Sequence, residues 1–197
     1  MKTIRPIPTT IALAICWAAS SFAQDFVSNQ LADVVIGKAT FTVNTPITAT
    51  ASTTGLTSDA VVDPTTGELF VVDTGNNRVL RFSSAAAATI GASAQVAFGQ
   101  PDLTTGTSNT GGLSATSLNG PTGIAIDANG ALWVADTGNN RVLRFDAATA
   151  VSVTGATTTA DQVIGQANFT TSTSGTTLTT LNGPRGVFVD ASGNLWV

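Results

Sequence analysis

Two identical strings, Asp73-Thr-Gly-Asn-Asn-Arg78 and Asp136-Thr-Gly-Asn-Asn-Arg141, gather the residues of this chain best able to do chemistry. A carboxylate beside two amides could donate hard oxygens to Ca2+, which takes roughly six to eight of them. The competing reading is architectural: Asp73, Asn76 and Asn77, like Asp136, Asn139 and Asn140, bond their own turn, and Gly75 and Gly138 supply positive φ. The spacing fits no calcium loop, so no cofactor is expected, with Ca2+ kept as the alternative. Arg78 and Arg141 could grip an anion through paired N–H donors. The favoured reading is that each fork pairs with a blade carboxylate and fixes blade-to-blade packing.

What is missing narrows the chemistry. The 197 residues include no His, no Tyr and one Cys. Without His the commonest general base is gone, and with it the Ser-His-Asp arrangement and every zinc site that uses imidazole. There is no Gly-rich phosphate loop, Cys cluster or Ser nucleophile elbow, so no catalytic residue is assigned. A 43% apolar share with only 10% charged residues excludes a disordered chain. A pI near 4.4 removes the basic footprint that nucleic acid or an anionic membrane surface requires.

The first residues read as an address. Lys2 and Arg5 precede an apolar run at residues 11–19, and Ser21-Phe-Ala23 puts small residues where a signal peptidase cuts. Residues 1–23 are therefore expected to be a secretory signal, placing the mature protein outside the cell, in the periplasm or on the cell surface. The run is about half of the roughly 20 residues a membrane span needs. A lipoprotein signal at Cys16 is disfavoured by bulky Ile15 before it. Removing the signal would leave six basic against twelve acidic residues, a net charge of −6, and no cysteine for a disulfide.

Beyond it the sequence repeats. Asp73 to Phe82 returns unchanged at Asp136 to Phe145, 63 residues later, and Leu118-Asn-Gly-Pro121 returns at Leu181-Asn-Gly-Pro184. A third landmark, Val35-Ile-Gly37, recurs as Ala97-Phe-Gly99 and Val163-Ile-Gly165. Within one unit, residues 123–127 read as a strand, Asn129-Gly130 as a hairpin turn and residues 131–136 as a second strand. Residues 137–140 form another turn, 141–145 a third strand and 162–166 a fourth. Four antiparallel strands per unit make a propeller blade.

The run Asn119-Gly-Pro-Thr-Gly-Ile-Ala-Ile-Asp127, continued by Leu132-Trp-Val-Ala-Asp136 and Asn139-Asn-Arg141, resembles the NHL repeat. The resemblance implies an all-β fold, a β-propeller of four-stranded blades, often six in this family. It covers one complete repeat at residues 118–169, a preceding one at 54–103 and the start of a third at 181–197. The earlier unit departs from the pattern: Thr57-Ser-Asp-Ala60 stands where Gly-Pro-x-Gly is expected, and its hairpin is one residue longer. Residues 24–53 form an N-terminal segment whose strand 33–38 is expected to close the ring as an outer strand. Six such units would need on the order of 380 residues, so the chain is expected to be the N-terminal part of a bacterial propeller. The period exceeds the usual blade, and the excess falls in Ala, Thr, Ser and Gly-rich stretches at 83–94, 101–117, 147–160 and 167–180, read as surface loops.

Alternation of strand direction gathers residues 136–140, 120–123 and the long loops before each blade on one face. Thr122 and Arg185 stand where inner strands begin, nearest the central channel, and are the candidate binding residues. Trp133 and Trp196, with Phe82 and Phe145, are expected between blades, a stacking platform for sugars being the alternative. Asn168-Phe-Thr170 fits a glycosylation acceptor but is a common chance match. The expected function is a non-catalytic secreted module binding a protein, glycan or surface polymer through its loop face. The alternative is a propeller lyase or hydrolase with a metal in the channel, completed by further blades. RNA binding would need a basic loop face, and no nucleic-acid partner or membrane-embedded segment is expected.

Overall fold

Leu69-Phe-Val-Val-Asp73 and Arg78-Val-Leu-Arg-Phe82 are rich in β-branched and aromatic residues, and successive side chains of a strand point to opposite faces. In the computed structural model Phe70, Val72 and Val79 accordingly enter one core and Val71, Leu80 and Phe82 another. These strands are buried on both sides. The structure describes residues 36, 49–86, 88–146, 148 and 157–197. All of these lie in the unit Asp33–Val197, and the unit Met1–Ala32 has no described residue. The expected signal segment, and the expected closing strand apart from Ile36, lie outside the described residues.

Blade 1 consists of β1 (Thr57–Val62), β2 (Leu69–Asp73), β3 (Arg78–Phe82) and β4 (Val96–Phe98), each antiparallel to the next. Blade 2 repeats it with β5 (Gly123–Ile126), β6 (Leu132–Asp136), β7 (Arg141–Phe145) and β9 (Gln162–Ile164). Between β7 and β9 comes β8 (Thr157–Thr158), and β10 (Phe188–Val189) with β11 (Leu195–Trp196) opens a third sheet. The inner strand β5 lies beside β1 on one side and β10 on the other.

The departures of the earlier unit have a visible cost. β5 pairs with β6 in continuous register, whereas β1 shifts register against β2 between Thr57 and Ala60. Without the Pro-x-Gly entry, regular pairing starts at Ala60 opposite Val71, the position that Ile124 holds opposite Val134 in blade 2.

The blades are glued by a shared core. Phe70, Val72, Val79, Val96 and Phe98 of blade 1 pack with Ile124, Leu132, Val134, Leu143 and Phe145 of blade 2. Phe98 meets Phe145 edge-on, with ring centroids 5.3 Å apart. Ile36 packs against the cluster that includes Val71, Leu80 and Phe82, the repeat counterparts of Val134, Leu143 and Phe145, which pack in one cluster with Phe98.

One expectation needs correction. Residues 147–160 are not simply a surface loop: Thr157 and Thr158 pair in parallel with Ala97 and Phe98, giving blade 1 a fifth strand. Trp133 is half-buried, while Phe70 at the same repeat position is buried in the core between blades 1 and 2. The Trp133 indole Nε1 donates to Asp127 Oδ2 at 3.1 Å and Arg144 lies over its ring.

Candidate functional site

The repeated string folds as a strand end, one turn of 3-10 helix (Thr74–Asn76 and Thr137–Asn139) and a return strand. The residues that reverse the chain in the left-handed region are Asn77 and Asn140, at φ 53° and 54°. Gly75 and Gly138 were expected to do this, and they do not. They are small because backbone passes close by: a Cβ would come 2.7 Å from Leu56 N at Gly75 and 2.7 Å from the Asn119 carbonyl oxygen at Gly138. Asparagine tolerates the left-handed conformation because its short polar side chain bonds locally.

Asp73 and Arg78 form a fully buried ion pair at 2.8 Å, and Asp136 and Arg141 another at 2.7 Å. The second Asp73 oxygen accepts the Gly55 amide, and that of Asp136 the Asn119 amide. Asn76 and Asn139 donate to the same carboxylates. Burial pushes the Asp136 carboxyl up, opposed first by the Arg141 guanidinium and then by these N–H donors. The rest of each guanidinium is also engaged. Arg78 donates to the carbonyls of Leu103, Thr50 and Thr53, and Arg141 to those of Phe169, Ser114 and Ser117. Each fork thus draws together the beginning and end of its own repeat, rather than joining two blades.

The joints between blades come from neighbouring side chains. Asn77 Oδ1 accepts the Gly120 amide at 2.8 Å, and Asn140 Oδ1 that of Gly183 at 2.9 Å. Thr74 Oγ1 donates to the Pro121 carbonyl and Thr137 Oγ1 to that of Pro184. Ser58 donates to the Thr122 carbonyl, and Thr122 in turn to the Arg185 carbonyl at 2.9 Å. The two candidate residues are therefore brought together at adjacent inner-strand entries. Thr122 is half-buried and Arg185 exposed, while the ion pairs among the described residues involve Arg78, Arg81, Arg141 and Arg144.

Two buried residues escaped the sequence reading. Gln100 donates to the carbonyls of Asn77 and Thr107, and Gln166 to those of Asn140 and Thr173, pinning the long loops onto the repeat turns. Their signal was the recurrence of Gln one residue after the Gly of the third landmark. The sites weighed for other chemistry are also accounted for locally. Asn168 Oδ1 accepts the amide and hydroxyl of Thr170, and Asp102 Oδ1 does the same for Thr104 in the preceding repeat. With Thr105 as a further donor, the Asp102 carboxyl is held down at about 2. Among the described residues no three His, Cys, Asp or Glu side chains converge as a metal site would require, and no helix is long and apolar enough to cross a membrane.

Four-stranded antiparallel sheets, arranged side by side about their inner strands and locked by a repeated turn, define a β-propeller in part. The NHL repeat family model matches residues 118–145, so the chain carries an NHL repeat. The unchanged return of Asp73 to Phe82 at Asp136 to Phe145 extends the same pattern to blade 1. No curated protein matches the chain.

Proposed function

We propose that this is a secreted, non-catalytic NHL-repeat propeller that serves as a binding or scaffold module for a protein, glycan or surface polymer through its loop face. The observation that carries the reading is how the polar groups are used. The donors and acceptors of Asp73, Asn77, Arg78 and their counterparts are spent inside the fold, so the repeated motif builds the platform rather than the site. What faces outward on that side is Arg185, beside the Thr122 hydroxyl, and the hydroxyl and amide-rich loops. Such loops offer adaptable hydrogen bonding on a rigid scaffold, and repeats of this family often mediate protein contacts. The export signal expected at residues 1–23 supports a partner met outside the cytoplasm.

The test is direct binding of the full chain to an array of neutral and acidic polysaccharides, with Arg185→Ala and Thr122→Val measured in parallel. Binding that weakens at least about tenfold in Arg185→Ala with unchanged unfolding supports the reading. Binding unchanged in both variants moves the site off this entry.

A further inference from the structure

The left-handed position of each repeat turn could be filled by glycine, which reaches positive φ without strain. Asparagine fills it in both repeats, at Asn77 and Asn140, and its side chain says why. Asn77 Oδ1 accepts the Gly120 amide at 2.8 Å while its Nδ2 donates to the Gly106 carbonyl at 2.9 Å. Asn140 does the same with the Gly183 amide and the Ser172 carbonyl, each at 2.9 Å. Aspartate could accept but not donate in this way, and glycine could do neither.

The backbone of these two residues is tied to the same loops. Buried Gln100 donates to the carbonyls of Asn77 and Thr107, each at 2.9 Å, and accepts the Thr110 hydroxyl at 2.8 Å. Gln166 donates to those of Asn140 and Thr173, each at 2.8 Å, and accepts the Thr173 amide at 3.0 Å. The stretch after each bonded glycine is stiff. Proline fixes φ at Pro121 and Pro184, Thr74 and Thr137 hold their carbonyls, and the next residue is Thr122 or Arg185.

We propose that Asn77 and Asn140 are positioning residues of the binding face, each coupling a long loop to the entry of the next inner strand. A ligand that orders loop 167–180 thereby sets where Arg185 stands, and one on loop 101–117 acts on Thr122. The ligand rests on the loop-face reading above; the coupling does not, because its bonds are already formed in the free protein.

The experiment follows amide exchange of Gly120 and Gly183 in the full chain, with variants that touch neither glycine. Gln100→Met should lower the protection of Gly120 at least about fivefold and leave Gly183 unchanged, and Gln166→Met should do the reverse. A glycine that keeps its protection in its own variant overturns the coupling. Loosening of both glycines in either variant overturns it as well, since the loss is then global. Should Gln100→Met unfold, Thr110→Val, which removes only a hydroxyl bond to Gln100, is judged by the same outcomes. For any polysaccharide that binds the parent chain through Arg185, Gln166→Met should weaken binding about fivefold although Gln166 does not face the ligand. Unchanged binding beside a loosened Gly183 overturns the positioning role. If no polysaccharide binds, the glycan reading fails and the exchange outcomes still decide the coupling.

Discussion

β4 and β9 follow nearly the same sequence logic, Ala-Phe-Gly-Gln against Val-Ile-Gly-Gln, yet among the described residues only β4 has a further strand along its outer edge. Burial in a blade is therefore not a property of the blade alone. β4 has blade 2 packed over one face and β8 along its edge, whereas β9 has neither among the described residues. The identical Arg-Val-Leu-Arg-Phe strands show the same contrast. Arg81 is buried, donates to the Ala148 carbonyl and pairs with Glu68 at 3.4 Å, and burial lowers its pKa. Arg144 is half-buried among Asp127, Asp146 and Asp161.

If this contrast is set by what covers each strand, matched substitutions must differ in cost. Phe98→Ala empties the interblade core and should lower stability by about 3–5 kcal/mol in urea unfolding. A cost below about 1 kcal/mol would show that blade 2 and β8 add nothing to β4. Arg81→Met leaves the Ala148 carbonyl buried without its donor and should cost about 1–3 kcal/mol. Arg144→Met removes ion pairs screened by solvent and should cost no more than about 1 kcal/mol. Trp133→Phe makes blade 2 resemble Phe70 in blade 1. It loses the Asp127 hydrogen bond and the Arg144 stacking, for about 0.5–1 kcal/mol, seen as a small shift in thermal midpoint.

The smallest difference concerns pH. The Asp102 and Asn168 turns have the same geometry, but one carries a titratable acceptor. Thr104 and Thr105 hold the folded Asp102 carboxyl at about 2, below its unfolded value. Its contribution is therefore complete above the ordinary carboxylate range and is lost as pH falls from there through 2. Protection of the Thr104 amide against exchange, relative to its intrinsic rate at each pH, should fall across that window while that of Thr170 stays constant. A parallel loss at both would mean that acid loosens the loop face as a whole.

The readily legible parts of this fold were the local ones. Residues 141–145 read as a strand and are β7, and the Asn129-Gly130 hairpin and the β5 and β6 strands follow from alternation and turn chemistry within a few residues. β8 was illegible because its pairing joins segments about sixty residues apart, and two threonines are too short a run to announce a strand. Gly75 and Gly138 were misread for a related reason. A glycine needed for close approach and one needed for positive φ look alike until the neighbouring backbone is in place. At the candidate entry, the proximity of Thr122 and Arg185 followed from strand parity. The hydroxyl-to-carbonyl links that fix it depend on the stagger between adjacent inner strands, which no single repeat encodes.

Those links also have a direction. Thr74, Ser58, Thr137 and Thr122 each donate to a carbonyl of the following blade, and Asn77 and Asn140 each accept an amide from it. β8 points the other way, returning from the sequence of blade 2 to finish blade 1. For a chain emerging from the ribosome, blade 1 thus stays incomplete until blade 2 has been synthesised. The order of synthesis becomes the order of sealing, and cooperativity travels between neighbouring blades.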